Sequence, residues 1–210
     1  MGPTIEWVVA HIVEMRVGFS YSTGTLDRAR AIVWEIHAGS ETGWGECQFA
    51  AEQSTPGIAM ALGEGSPGDL HDALYRFVWP LIGCSASALE ALLPPMSAEL
   101  DWDLLVIREG LSIALYDLVG KESGLPVHAL LGGRRRSHVP GMPVIHVAPP
   151  AVMARRAEAW VKEGYRFLKV KFRGQIDTDV EAVRGIRESI GPEIPIQVDA
   201  NDGYAELEEA

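Results

Sequence analysis

Apolar and polar residues alternate over much of the first fifty positions, a pattern that predicts β-strands. The alternation is loose over residues 4–17 and regular over residues 31–37. A turn-rich segment at residues 38–40 precedes a third short strand at residues 43–46. Three consecutive strands with short connections predict an antiparallel meander with one apolar face, which needs a cover.

Helical spacing of apolar residues follows the meander. Ser66 and Pro67 are typical of an N-cap followed by proline at the first helical position, and the apolar repeat continues to Val78. A longer helix is predicted from about Ser97 to Glu122, before a glycine and a proline end it. Its apolar stripe consists of Leu104, Ile107, Leu111, Ala114, Leu115 and Leu118. Residues 1–133 are therefore predicted to form an α+β domain.

After Gly133 the pattern changes to alternating strands and helices. Strands are predicted at residues 144–147, 167–172 and 194–198, and helices at 150–164, from Asp177 or Thr178 to Gly191, and from residue 205 onward. Repeated βα units predict a parallel sheet, so residues 134–210 are predicted to hold about three such units.

Composition narrows the class of protein. The chain has 210 residues, 47% of them hydrophobic, which is enough for one large or two small cores. A net charge of −11 and a pI near 5.0 argue against nucleic acid as the main partner. Two cysteines give no disulfide framework, and no signal peptide or run of about 18 apolar residues is evident. A cytoplasmic protein with no membrane span is expected.

The candidate chemistry lies at the ends of two predicted strands. Lys169 and Lys171 are two apart on one strand, so both side chains project from the same face. Asp199 ends the next strand, about 30 residues later, the length of one strand-helix-strand unit. Because active sites of parallel α/β folds lie at the carboxyl ends of the strands, the three residues form a site candidate.

This mixture of groups suits the removal of a proton next to a carboxylate. Two neighbouring ammonium groups raise each other's cost of charging, so one lysine can be neutral enough to act as a base. Asp199 offers a hard oxygen ligand suited to magnesium. A metal and nearby cations would stabilise the enediolate dianion that such a reaction forms, and lysine bases with magnesium are a known solution in enolase-superfamily sites.

Four segments in the correct order resemble the enolase superfamily, in the branch of mandelate racemase and the muconate lactonizing enzymes. They are "GWGE" at residues 43–46, "ALYDLVGKESGLPVHALLGG" at 114–133, "FLKVKF" at 167–172 and "QVDAN" at 197–201. The resemblance covers nearly the whole chain. It implies an α+β capping domain, with a three-stranded antiparallel meander plus helices, followed by the first βα units of an incomplete TIM-type (β/α) barrel.

The resemblance also implies roles for single residues. Lys171 matches the catalytic base, Lys169 its neighbour near the substrate carboxylate, and Asp199 the first of three carboxylate ligands to Mg²⁺, with Mn²⁺ as a possible substitute. Asn201 matches a position that often contacts substrate. Two capping loops would select the substrate, at residues 18–24, which carry Phe19 and Tyr21, and at 47–57.

The implied function is Mg²⁺-dependent abstraction of the proton alpha to the carboxylate of a small substrate, giving racemisation, epimerisation or cycloisomerisation in a homo-oligomeric parent protein. The resemblance requires two more acidic metal ligands, on the fourth and fifth barrel strands, and a second acid/base on a later strand, whereas the sequence predicts about three barrel strands. One carboxylate does not make a magnesium site, so the chain by itself is predicted to be inactive and to be part of a longer enzyme.

Three other functions stay open on the sequence. The first is dehydration of acid sugars or hydroxy acids on the same scaffold. The second is a barrel enzyme that uses Lys169 or Lys171 as a Schiff-base nucleophile. The third is a non-catalytic, truncated relative that acts as an interaction module.

Overall fold

The computed structural model describes residues 2–21, 24–53, 74–93, 102–201 and 203–204. Proximity of Cα atoms divides the chain into two compact units. The first is built from residues before Arg136, and the second from residues 136–210 together with residues 18–27 and 53–57. The predicted domains 1–133 and 134–210 stay a prediction of the sequence.

The first sheet contains three long strands in the order β1, β2, β3. They are β1 (Ile5–Tyr21), β2 (Gly24–Ala38) and β3 (Glu41–Gln53). Neighbouring strands joined by such short turns are antiparallel, as the pattern predicts. The strands run further than predicted: residues 18–21, residue 24 and residues 47–53 are strand rather than loop, and the rest of the expected loops, residues 22–23 and 54–57, lie outside the described residues.

One long helix, α1 (Trp102–Ser123), supplies the apolar cover for this sheet. Five residues of its predicted stripe are buried in the core, and the side chain of Leu104 lies outside the described residues. The five are Ile107, Leu111, Ala114, Leu115 and Leu118. They pack in one cluster with Ile32, Trp34 and Ile36, the apolar face of β2.

Two glycines of the "GWGE" segment let β3 approach α1 closely. A Cβ at Gly43 would overlap the carbonyl oxygen of Ala114, and one at Gly45 would overlap that of Gly110. Between the two glycines, the Trp44 N–H donates to the Asp117 carboxylate at 2.8 Å. The motif therefore has a packing role in this unit.

Shorter helical segments complete the first unit. The segments are Leu74–Val78, a π-helical turn, the 3₁₀ turns Trp79–Leu81 and Ala86–Leu92, and α2 (Val127–Leu130). The helix predicted from Ser66 lies outside the described residues as far as residue 73, and its remainder is a π-helical turn rather than a regular α-helix.

The second unit is built on a parallel sheet of three strands. The strands are β4 (Val144–Ile145), β5 (Leu168–Lys171) and β6 (Ile196–Asp199), in that order. They alternate with α3 (Pro150–Lys162) and α4 (Ile176–Ile190), as predicted. Ile145, Leu168 and Val170 pack in one core with Ala157 and Ile186.

The N-cap of α4 differs from the prediction, whereas the last predicted helix is untested. Residue Gln175, not Asp177 or Thr178, is the N-cap of α4. Val198, on the last strand of the described sheet, is 49% exposed. The helix predicted from residue 205 lies outside the described residues.

The described helices include none with both the length and the apolar character needed to cross a membrane.

Candidate active site

Strand β5 presents two lysines on one face and its apolar residues on the other. Leu168 and Val170 are fully buried in the core of the second unit. Lys169 and Lys171 alternate with them, and their side chains are 26% and 15% exposed. The strand period of two therefore places both amines on the face opposite the core, as the sequence predicts.

The parallel pairing of β5 with β6 brings Asp199 beside these amines. Lys171 is directly paired with Asp199 in the strand register. The Asp199 Oδ2 atom lies 2.6 Å from the Lys169 Nζ atom and 2.7 Å from the Lys171 Nζ atom. One carboxylate oxygen thus contacts both ammonium groups at the carboxyl ends of the two strands.

Asn201 joins the same cluster from the turn that follows β6. Its backbone has a positive φ of 47°, a conformation that asparagine tolerates better than most residues. The Lys171 ammonium donates to Asn201 Oδ1 at 2.5 Å, and the Asn201 N–H donates to Asp199 Oδ1 at 3.2 Å. The turn after β6 is therefore part of the cluster of Lys169, Lys171 and Asp199.

The two ammonium groups strongly favour the ionised form of Asp199. Hydrogen bonds from Lys169 and then Lys171 lower the pKa of Asp199 from 3.8 to about 2, against the opposing effect of burial. The carboxylate is consequently ionised at every pH above about 3 and is available as an anionic ligand.

His146 follows β4 and lies near the cluster. Burial lowers its pKa, and the positive charges of Arg156 and Lys171 lower it further. The imidazole is therefore neutral at pH 7.

Two predicted substrate contacts cannot be placed. Phe19 and Tyr21 belong to β1, but their side chains lie outside the described residues. Their roles stay a prediction.

Two residues beside the cluster were missed by the sequence analysis. Asp179, near the start of α4, is 4% exposed, and it accepts a hydrogen bond from the Tyr204 hydroxyl at 3.0 Å. The spacing of Asp179 with Ala182 and Ile186 could have placed it on the buried face of α4. The sequence around Tyr204 carried no comparable signal.

The donor chemistry of Asp199 fits one position of a Mg²⁺ site. An ionised carboxylate at the carboxyl end of a strand is a hard oxygen ligand of the kind Mg²⁺ prefers. Among the described residues, however, no group of three His, Cys, Asp or Glu side chains could hold a metal ion. These residues therefore supply one ligand and not a complete site.

The arrangement can hold an anion and move a proton. Two amines on one face provide positive charge for a substrate carboxylate, and either amine can exchange a proton when it is neutral. The neighbouring carboxylate and amide oxygens fix the direction of the Lys171 amine.

Comparison with known families matches both parts of the chain. The family described as "Mandelate racemase / muconate lactonizing enzyme, N-terminal domain" matches residues 4–132. The family described as "Enolase C-terminal domain-like" matches residues 152–210.

Curated relatives include epimerases of dipeptides. The D-Ala-D/L-Ala epimerase of Cytophaga hutchinsonii is 30% identical over 92% of this chain and 50% of its own length. The hydrophobic dipeptide epimerase of Enterococcus faecalis is 29% identical over 94% of this chain and 53% of its own length. The chain spans about half the length of the curated relatives it matches.

Solved structures agree with this picture. The dipeptide epimerase of Enterococcus faecalis, complexed with Mg and the dipeptide L-Leu-L-Tyr, superposes with a TM-score of 0.78 at 26% identity, over 96% of this chain and 55% of that one. The muconate lactonizing enzyme of Pseudomonas fluorescens, complexed with muconolactone, superposes with a TM-score of 0.79 at 25% identity, over 97% of this chain and 54% of that one.

Proposed function

The chain belongs to the mandelate racemase and muconate lactonizing enzyme branch of the enolase superfamily, and we propose that its protein removes the proton alpha to the carboxylate of a small substrate. Relatives in this branch are racemases, epimerases and cycloisomerases, which supports an isomerase. The observation that carries the proposal is the cluster of Lys169, Lys171 and Asp199 at the ends of β5 and β6.

Lys171 is the proposed base. It is the less exposed of the two lysines, and its Nζ atom is held by Asp199 and Asn201 at 2.7 and 2.5 Å. A base held in a fixed direction loses little entropy when the substrate proton reaches it. In its neutral form the amine would accept the alpha proton and leave an enediolate.

Lys169 and Asp199 have the supporting roles. The Lys169 ammonium would face the substrate carboxylate and stabilise the negative charge that develops when the proton leaves. Asp199 would serve as one ligand of Mg²⁺, with Mn²⁺ as a substitute. A bound divalent cation would supply further positive charge beside the substrate carboxylate.

The remaining features of the proposal concern the whole protein. We expect a TIM-type barrel, a cytoplasmic location and a homo-oligomer. Because the described residues offer one metal ligand, we expect the 210-residue chain to be inactive unless further acidic ligands are supplied.

Dipeptides are the first substrates to test, since the relatives include epimerases of D-Ala-D/L-Ala, L-Ala-D/L-Glu and hydrophobic dipeptides. The full gene product is incubated with Mg²⁺ and each dipeptide in D₂O, and loss of the alpha proton is followed by ¹H NMR. We expect the alpha proton to exchange with solvent deuterium in one of these three kinds of dipeptide. Lys171→Ala should lower the rate by about 10²- to 10⁴-fold, the usual contribution of a general base.

Lys162→Ala is the matched control. Lys162 is an exposed lysine of α3 that pairs with Glu158, so its removal should leave exchange unchanged. Equal exchange rates in the wild-type and Lys171→Ala proteins would show that Lys171 is not the base.

Dehydration on the same scaffold is a second candidate. The cis-3-hydroxy-L-proline dehydratase of Roseibium aggregatum is 31% identical over 48% of this chain. Both reactions begin with removal of the alpha proton, so the products distinguish them: a dehydratase substrate loses water, whereas an isomerase product keeps the substrate mass.

A Schiff-base mechanism has less support, because the relatives include epimerases, racemases and cycloisomerases. Borohydride trapping with a carbonyl substrate tests it. The proton-abstraction mechanism predicts no covalent adduct and a loss of activity in the presence of a chelator.

A further inference from the structure

Asp179 is a buried carboxylate that the proposed reaction does not use. Among the described residues it is the one buried side chain that carries a charge, with 4% exposure. A carboxylate withdrawn from water at this depth needs hydrogen-bond donors to offset its lost solvation. The groups that donate hydrogen bonds to Asp179 therefore indicate its structural role.

Three of those donors come from the loop that follows β5. Asp179 Oδ1 accepts the N–H of Arg173 at 2.8 Å, and Oδ2 accepts the N–H groups of Gly174 and Gln175 at 2.9 and 3.0 Å. The side chain thus reaches back from the first turn of α4 and fixes the backbone that leaves the Lys171 strand.

The fourth donor comes from the segment after β6. The Tyr204 hydroxyl donates to Asp179 Oδ2 at 3.0 Å. Burial, and then the hydrogen bond and charge of Asp179, raise the pKa of Tyr204 to about 12. One carboxylate therefore joins the two loops that leave the two site strands.

Two further contacts hold the same loops together. The ring of Tyr204 meets the ring of Phe172 edge-on, with centroids 6.3 Å apart. Gly174 has a φ of +80°, and a Cβ there would overlap the carbonyl oxygen of Gly203, so the two backbones are in direct contact. The Asp179 bond to Tyr204 is consequently the polar part of a packed junction.

We propose that Asp179 and Tyr204 are positioning residues, which hold the loops after β5 and β6 together and so keep Lys171 and Asn201 in reach of each other. Lys171 precedes the anchored Arg173 by two residues, and Asn201 precedes Tyr204 by three. The 2.5 Å bond between Lys171 and Asn201 bridges the same two strand ends. Loosening of one loop would therefore lengthen that bond.

Amide hydrogen exchange measured by NMR on the 210-residue chain tests the junction without any substrate. Tyr204→Phe keeps the ring against Phe172 and removes only the hydroxyl. Loss of one buried hydrogen bond should speed exchange about tenfold at Gly174 and Gln175, whose N–H groups donate to Asp179, and at Asn201. Asp179→Asn should speed exchange at the same amides.

The double variant shows whether the two residues act as one unit. If they do, Asp179→Asn with Tyr204→Phe should speed exchange at Asn201 no more than Asp179→Asn alone. Additive effects would overturn the proposal, as would unchanged exchange at Asn201 in Tyr204→Phe. If Asp179→Asn does not fold, the exchange rates of Tyr204→Phe alone test the proposal.

Tyr165→Phe is the matched control. Tyr165 is a half-buried tyrosine of the same unit that makes an edge contact with Trp160, 5.2 Å between centroids. Its hydroxyl lies outside the junction, so its removal should leave exchange at Gly174, Gln175 and Asn201 unchanged. Faster exchange there in both tyrosine variants would indicate general loosening and would overturn the positioning role.

The consequence for turnover rests on the proposed function. In the full gene product, Tyr204→Phe should lower kcat for alpha-proton exchange several-fold with KM nearly unchanged, because the base is misplaced while the substrate still binds. An unchanged kcat would overturn the catalytic consequence of the junction. Failure of Lys171→Ala to affect exchange would instead contradict the proposed function and leave the amide measurements intact.

Discussion

Asp199 contacts three groups at once: the two ammonium groups of Lys169 and Lys171 and the backbone N–H of Asn201. If Asp199 carried no charge, the ammonium groups of Lys169 and Lys171 would repel each other at close range with no anion between them. The residue therefore stabilises the site as well as offering a ligand. Its titration provides a test of this arrangement.

The stability of the second unit should depend on pH through Asp199. The folded-state pKa of about 2 lies below the ordinary value of 3.8, so the carboxylate stabilises the folded chain above about pH 4, and this contribution is lost as the pH falls through about 2. Because solvent reaches the group, we expect about 1 kcal/mol. Urea unfolding in EDTA should show Asp199→Asn to be less stable at pH 6 and the two proteins to converge near pH 2.

Glu193→Gln is the control for this measurement, since Glu193 is an exposed loop carboxylate of the same unit. It should not alter the pH dependence of unfolding. A constant difference between wild-type and Asp199→Asn proteins from pH 6 to pH 2 would contradict the ion-pair account.

The residues of the site differ in how far the sequence predicts them. Lys169, Lys171 and Asp199 could be found because strand periodicity and the length of a βα unit fix their positions. The spacing of Asp179 could place it on the buried face of α4, but its contact with Tyr204 could not be predicted, since that contact depends on the path of two loops, which no periodic pattern encodes. Phe19 and Tyr21 belong to the end of β1, and their roles stay a prediction.

At the scale of elements, the contact between β3 and α1 depends on the absence of side chains. Gly43 and Gly45 face the helix, and Gly110 of the helix faces Trp34. The ammonium of Lys121 donates to the Thr42 carbonyl at 2.8 Å, which adds a polar contact beside the glycines. Strand and helix backbones therefore pack directly on each other.

Gly45→Ala should destabilise the first unit. The added Cβ would overlap the carbonyl oxygen of Gly110 and crowd the Ala114 backbone, and rigid backbone yields little. Overpacking of this kind costs about 1–3 kcal/mol. Chemical unfolding followed by tryptophan fluorescence measures the loss.

Gly185→Ala on α4 is the opposite case. Its new Cβ would meet only the Cβ of Ala154, at an ordinary 3.8 Å, so helix propensity should stabilise the chain by up to about 1 kcal/mol. If Gly45→Ala were as stable as Gly185→Ala, the close packing of β3 on α1 would be wrong.

Element types were predictable from periodicity, whereas several boundaries were not. The start of α4 was misplaced because Asp177 and Thr178 are good capping residues, yet the loop amides bond to Asp179, one turn into the helix. β2 was predicted too short because residues 27–30 at its start are largely exposed and show no apolar alternation. Exposure on both faces removes the signal that reveals a strand.

At the scale of the whole molecule, each compact unit has its own hydrophobic core. One cluster contains Trp34 and Leu115, and the other contains Val170 and Ile186. A core of its own is what allows a unit to open while another stays folded. The two cores can therefore be perturbed separately.

Ile186→Ala should loosen only the second unit. Ile186 of α4 is fully buried in the core of the second unit. Truncation of such a residue lowers the free energy of unfolding by about 2–5 kcal/mol, because apolar burial is lost and a cavity remains. Native-state amide exchange should accelerate in β5 and β6 and remain unchanged in β2 and α1. Leu115→Ala, an equally buried truncation in the other core, should give the reverse pattern. Acceleration throughout the chain in both variants would mean that the two units unfold as one. Loosening of the Lys171 cluster could then not be separated from unfolding of the sheet β1, β2, β3.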